Sequence, residues 1–390
     1  MSDYIPYGRQ DITPADIDAV VAVLNSDWLT QGPAIAQFEA AIAAYCGCRY
    51  AVAVSSSTAA LHLACLAADL GAGEQLWTSP NTFVASANCG RYCGATVDFV
   101  DIDSKTYNLS VAALAHRLEV AAQGDFIPKV VIPVHFAGQS CEMEKVDKLA
   151  AKYPFTVIED ASHAIGGQYQ DKPVGACEFS DMAVFSFHPV KIMTTGEGGI
   201  VVTNRSDLYE RLMRLRTHGI TRNPALMEGS SHGPWYYQQL ELGYNYRMTD
   251  IQAALGLSQL QRLDQFVERR RQLATQYDQL LAELPLTLPW QHPDTLSSWH
   301  LYVVRLSLND KLTHRQVFEA LREAGIGVNL HYIPVHTQPY YQNLGFQPGD
   351  FPEAEQYYRE AISLPLYYGL SDADQQRVVK ALRQVLRAGE

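Results

Sequence analysis

The sequence lacks any run approaching the roughly 20 apolar residues that a membrane-spanning helix requires, so no segment reads as transmembrane. Its opening, Met1-Ser2-Asp3-Tyr4-Ile5-Pro6-Tyr7-Gly8-Arg9, has neither the basic nor the apolar region of a secretory signal, and a cytoplasmic protein is expected. A basic excess is also missing. Lys and Arg number 30 against 42 Asp and Glu, a net charge of −12, which argues against nonspecific nucleic-acid binding because that needs basic surface. An anionic small substrate stays compatible, since one pocket can be basic on an acidic protein. Cysteine is sparse. The seven present include close pairs at Cys46-Gly47-Cys48 and Cys89/Cys93, neither with the C-x-x-C spacing of a zinc or thioredoxin-like site. Free thiols in a reducing compartment are expected.

What the chain has is core-forming material: 47% hydrophobic residues against 18% charged, over 390 residues, more than one ordinary core accommodates. Two domains are expected. The first two-thirds alternate β-rich runs with helical patterns, the signature of a sheet wound with crossover helices. Strands are expected at Tyr50–Val54, Gln75–Thr78, Thr96–Val100, Lys129–His135, Phe155–Asp160, Met182–Ser186 and Ile200–Thr203. Helices are expected at Ala59–Leu70, Phe83–Cys93, Cys141–Tyr153 and Asp207–Arg216. After Met248 the pattern changes. Thr249–Leu284 holds one long helical periodicity, broken by Pro285, Pro289 and Pro293. Leu301–Leu306, a helix Arg315–Ala324, Val328–Leu330 and a last helix Asp372–Arg387 suggest a small α/β domain. Met227–Trp235 reads as a loop and a candidate lid.

Four segments carry chemistry. In Phe185-Ser186-Phe187-His188-Pro189-Val190-Lys191, followed by Gly196, Gly198 and Gly199, an apolar strand leads to a lone lysine and a glycine-rich stretch. Burial lowers a lysine's pKa and frees its amine to attack a carbonyl, and glycines would let backbone approach a flat ligand closely. In Ile158-Glu159-Asp160-Ala161-Ser162-His163 a carboxylate ends a buried strand. Asp160 could hold a protonated ring nitrogen or cap a helix, while His163 could bond a ring hydroxyl or satisfy a core neighbour. Ser55-Ser56-Ser57-Thr58 precedes a helix and offers N–H groups, hydroxyls and a favourable dipole to a phosphate, with Ser186 a second candidate. Phe83, just after a strand, offers a stacking face or a core ring. Together the four supply what a pyridoxal phosphate site requires.

These segments, with Trp28–Pro33, Gly243-Tyr244-Asn245-Tyr246-Arg247-Met248 and His331–His336, resemble the DegT-type nucleotide-sugar aminotransferases over nearly the whole chain. The resemblance implies fold type I: an α/β protein with a mostly parallel seven-stranded sheet in a large domain with an N-terminal arm, residues 1–248. A long connecting helix and a smaller C-terminal α/β domain, residues 249–390, complete it. It implies that Lys191 forms the Schiff base with pyridoxal 5'-phosphate, that Asp160 pairs with the ring nitrogen and that Phe83 stacks on the ring. Ser57, Thr58 and Ser186 would hold the phosphate, and Asn245 would reach the phosphate of a neighbouring subunit in a homodimer. Arg247 and His331 would lie on the substrate side and supply positive charge to a nucleotide diphosphate. Ser57 stands where many members have glycine, which puts the loop geometry in question. Relatives with histidine at the lysine position dehydrate sugars, so Lys191 favours transamination. Within the family, Pro6–Gln10, Phe83–Asn88 and Phe187–Lys191 are most similar to the pseudaminic-acid pathway enzyme. That likeness implies amination of C4 of a UDP-linked 2-acetamido-2,6-dideoxy-4-keto-hexose with L-glutamate as donor.

Three alternatives compete. A zinc hydrolase would use His135, His163 and His188, near strand ends but without local ligand spacing. A non-catalytic regulator retaining the fold would show a defective lysine or aspartate position. Another UDP- or dTDP-ketosugar would preserve the chemistry and change only the substrate.

Overall fold

Strands read from the first half of the chain hydrogen-bond into one sheet: β1 (Tyr50–Val54), β2 (Gln75–Thr78), β3 (Thr96–Phe99), β4 (Val130–Ile132), β5 (Thr156–Asp160), β6 (Met182–Ser186) and β7 (Gly199–Thr203). The computed structural model describes residues 4–124, 126–307 and 312–387. The spatial order is β1-β7-β6-β5-β4-β2-β3. Only β7 runs antiparallel, to both its neighbours, and the other four pairings, β6 to β5, β5 to β4, β4 to β2 and β2 to β3, are parallel. Side chains alternate across the sheet with period two. Val52, Val54, Ile158, Val184 and Val201 enter one buried cluster, while Ala51, Ala53, Phe185, Ile200 and Val202 enter another. A sheet buried on both faces needs near-continuous apolar strands, which is why these segments were legible.

The β4 ladder is shorter than the apolar run Lys129–His135, because Pro133 has no N–H to donate. Pairing resumes just beyond it, where Asp160 N–H donates to the Pro133 carbonyl at 2.9 Å and His135 N–H to the Asp160 carbonyl at 3.0 Å.

The long periodicity after Met248 is not one helix. It forms Asp250–Leu260 and Leu263–Leu281, interrupted where Arg262 takes φ −111° and ψ 3°. At that break the buried Asp16 carboxylate gathers Ser258 Oγ at 2.6 Å, Gln259 Nε2 at 3.0 Å and Arg262 Nη2 at 2.9 Å. The apolar period passes through the kink unchanged, so periodicity alone could not reveal it. A three-stranded antiparallel sheet follows, with Tyr302–Leu306 between Leu286–Thr287 and Ala361–Leu364. The expected strand Val328–Leu330 reduces to a single bridge, Asn329 to Ser363. Leu273, Tyr277, Tyr302, Val304, Ile362, Val378 and Leu382 form the core here. Ile5 joins them through a parallel bridge to Ile326, so the N-terminal residues pack on this region. The helices Pro14–Leu24 and Pro33–Cys46 carry no motif the sequence reading picked up.

Candidate active site

β1, β5 and β6 run in the same direction and release the chain at one edge of the sheet, where open α/β sheets form their crevices. Ser55–Thr58, Asp160–His163 and Ser186–Lys191 lie just beyond those ends, and all three segments line one pocket of about 690 Å3. Phe83, from the turn after β2, and His331 complete its walls.

Lys191 is half-buried. Loss of solvent lowers its amine from 10.5 to about 8, and the Asp160 carboxylate opposes that shift. The carboxylate of Asp160 is buried. It accepts the Ser86 hydroxyl on Oδ2 at 2.6 Å and the Ser162 N–H on Oδ1 at 3.1 Å. No helix follows for it to cap, since residues 162–166 form turns. Two donors on a carboxylate fix its orientation.

His163 accepts the Ala137 N–H on Nδ1 at 3.3 Å, so its proton sits on Nε2, 3.0 Å from the Tyr332 hydroxyl. Burial, with Lys191 and His331 nearby, holds the ring well below the usual histidine range. Phe83 is 59% exposed, presenting an open ring face at the pocket wall. Ser56 caps the helix Ser57–Ala67 by accepting the Ala59 N–H on its hydroxyl at 3.1 Å. The N–H groups of Ser57 and Thr58 thus remain among the helix's unpaired first donors. Ser57 is itself helical, so serine fits where relatives carry glycine.

Several expectations require correction. Gly196, Gly198 and Gly199 do not line the pocket. A Cβ on Gly199 would sit 2.5 Å from the backbone of Ser56 and Ser57, and one on Gly198 would meet Thr195 and Met248. Gly196 turns the chain at φ +82°. Gly199 lets β7 pass the Ser55–Thr58 turn. His331 does not supply positive charge, because burial and then Lys191 lower it to about 3. Its Nδ1 bonds Ser363 Oγ at 2.8 Å and its Nε2 lies 3.3 Å from Asn329 Nδ2. The three histidines of the zinc alternative diverge. His135 accepts the Cys141 N–H on Nδ1 at 3.1 Å and pairs through Nε2 with Glu159 at 2.5 Å, while His188 is exposed beside Glu197. Among the described residues no three His, Cys, Asp or Glu side chains are grouped to hold a metal.

Asn245 and Arg247 stand outside this pocket. Their segment runs along the end of β1, with Arg247 bridged to Val54 and Asn245 exposed and bridged to Thr217. None of the residues of Met227–Trp235 lines the pocket. The sequence reading missed Tyr7, Ser86, His300, Asn329 and Tyr332. Tyr7, Ser86 and Tyr332 fall inside motifs it quoted but gave no role, since only the fold reveals what they face.

A sheet of this order with an amine of this kind at its carboxyl edge defines an aminotransferase, and comparison with known proteins agrees. The chain belongs to the DegT/DnrJ/EryC1/StrS aminotransferase family, whose model matches residues 10–383. It is 39% identical over 391 aligned residues to the spore coat polysaccharide biosynthesis protein SpsC of Bacillus subtilis, covering 99% of this chain and 98% of that one. Among solved structures it is similar to Helicobacter pylori PseC, an aminotransferase involved in the biosynthesis of pseudoaminic acid. The TM-score is 0.90 at 32% identity, covering 99% of this chain and 100% of the other. The putative sugar aminotransferase Spr1654 of Streptococcus pneumoniae matches in its PMP-form with TM-score 0.90, 29% identity and coverage of 99% and 100%. Its PLP-form matches as well, at TM-score 0.88. The protein is a sugar aminotransferase.

Proposed function

We propose that this protein moves an amino group from L-glutamate to C4 of a UDP-linked 2-acetamido-2,6-dideoxy-4-keto-hexose, as a pseudaminic-acid-type pathway requires. The observation that carries the reading is the Lys191 amine, lowered to about 8, in one pocket with Asp160, Phe83 and the Ser57–Thr58 helix start. The likeness to PseC supports the substrate class. The cofactor is pyridoxal 5'-phosphate, and the open Phe83 face, the fixed carboxylate and the free helix N–H groups suit its ring and phosphate.

Bound there, pyridoxal phosphate would supply an electron sink for the amino carbon while the nitrogen passes from donor to ketone carbon. Lys191 anchors it and moves the proton at the substrate carbon. Asp160 keeps the ring nitrogen protonated, with Ser86 holding the carboxylate in place. His163, whose Nε2–H lies 3.0 Å from the Tyr332 hydroxyl, would flank the ring hydroxyl. Ser57, Thr58 and Ser186 hold the phosphate, joined by Asn245 of a partner subunit in a homodimer with shared sites. Arg247 meets the diphosphate, and His331 forms a neutral wall on the substrate side. The large domain spans residues 1–248 and the connecting helices with the small domain 249–390. Location in the cytoplasm accords with this substrate, and among the described residues no helix is long and apolar enough to cross a membrane.

The 39% identity to SpsC favours a second reading, another UDP- or dTDP-ketosugar. Holoenzyme incubated with glutamate and a panel of UDP- and dTDP-4-ketosugars, with products identified by mass spectrometry, decides between them. Glutamate alone should change the visible absorbance and the correct ketosugar should restore it. If no ketosugar restores it, the substrate class is wrong.

A further inference from the structure

The motif Pro6–Gln10 has so far received no role. Its backbone is tied to the C-terminal region: Ile5 N–H donates to the Gly325 carbonyl at 2.9 Å, and Leu366 N–H donates to the Tyr7 carbonyl at 3.0 Å. Those ties deliver the half-buried Tyr7 side chain to the pocket wall, its ring centroid 5.5 Å from that of His331. Burial raises the Tyr7 phenol, and a hydrogen bond from the Asn329 side chain opposes the rise. The phenol is therefore neutral at physiological pH, with the Asn329 side chain beside it. Its proton has no acceptor among the described residues and is available to the pocket.

The charge around it narrows what it can bind. Among the described residues lining the pocket, Lys191 is the only Lys or Arg. His163, His300 and His331 are all held neutral, chiefly by burial. Away from the Ser57–Thr58 helix start, such a wall leaves only Lys191 to compensate the charge of a desolvated carboxylate or phosphate, whereas neutral donors suit hydroxyl, ring or amide oxygens.

We propose that Tyr7 is a specificity-determining residue: its hydroxyl donates a hydrogen bond to an uncharged oxygen of the ketosugar ring or its acetamido group. Asn329 is the positioning residue that orients the hydroxyl. The assignment rests on the ketosugar reading above and adds which part of that substrate faces the N-terminal arm.

The test separates the two half-reactions by single-turnover absorbance on holoenzyme, with glutamate in one and the sugar nucleotide that wild type accepts in the other. For Tyr7→Phe the sugar half-reaction should fall about tenfold in its second-order rate constant, as loss of one hydrogen bond implies. The glutamate half-reaction should stay within about twofold and serves as the control for folding and cofactor loading. Asn329→Ala should give a smaller fall on the sugar side only, and it carries the test if Tyr7→Phe does not fold. Equal losses in both halves, or no loss in the sugar half, overturn the assignment while leaving the ketosugar reading intact. A wild-type enzyme that no ketosugar returns to its starting spectrum removes both.

Discussion

At the residue scale the decisive quantity is the environment of one amine. Borohydride treatment of the holoenzyme should fix the cofactor to a peptide containing Lys191, and recovery on any other lysine would refute the assignment. Lys191→Ala should still retain cofactor through separate phosphate contacts but lose at least about a hundredfold in turnover, the usual contribution of a positioned proton-transfer group. The lowered pKa also has a stability consequence. The folded amine titrates near 8 and its ordinary value is 10.5. Cofactor-free native protein therefore releases this proton before the unfolded chain does, and its stability from this group rises with pH between those values. Cofactor-free Lys191→Met should be more stable than wild type below pH 8, by up to about 3 kcal/mol. Thermal melts should show that advantage shrinking toward pH 10.5. Asp160→Asn preserves shape and removes the charge proposed to face the cofactor ring. A fall of about 10² to 10³ in kcat is expected, and near-normal turnover would reduce Asp160 to a structural group.

At the element scale the site depends on strand ends meeting. Gly199 opens β7 opposite both Val54 and Ser186, so its close approach to the Ser56–Ser57 backbone fixes the Ser55–Thr58 turn against the lysine strand. A methyl there must push that turn. Gly199→Ala should cost about 1–3 kcal/mol, the range for overpacking, and weaken cofactor retention. A denaturation curve and a cofactor-release assay check both, and a fully stable, cofactor-tight variant would show that the turn yields freely. The strands were legible because a doubly buried sheet needs apolar runs. The break at Arg262 was not, because it answers a carboxylate far away in the chain, at Asp16.

At the scale of the whole molecule, the exposed Asn245 and the half-buried Arg247 stand apart from the pocket lined by Lys191 and Asp160. If Asn245 completes the site of a second subunit, mixing Lys191→Ala chains with Asn245→Ala chains should restore activity absent from both parents. One composite site in each mixed dimer then carries both wild-type residues. No recovery in verified mixed dimers, or full activity in a demonstrated monomer, would count against shared sites.

The sequence by itself determined the sheet, through the apolar strands, and marked Lys191, Asp160, Phe83 and the Ser55–Thr58 turn, because each stands where a strand or its turn ends. It could not assign Gly199, whose packing partners Ser56 and Ser57 lie just beyond the end of β1, nor the charge of His331, which burial and Lys191 decide. Only the tertiary structure placed Ser86 on Asp160 and Tyr7 beside His331. Those contacts join residues far apart in the chain, and their energies depend on burial that no local pattern records.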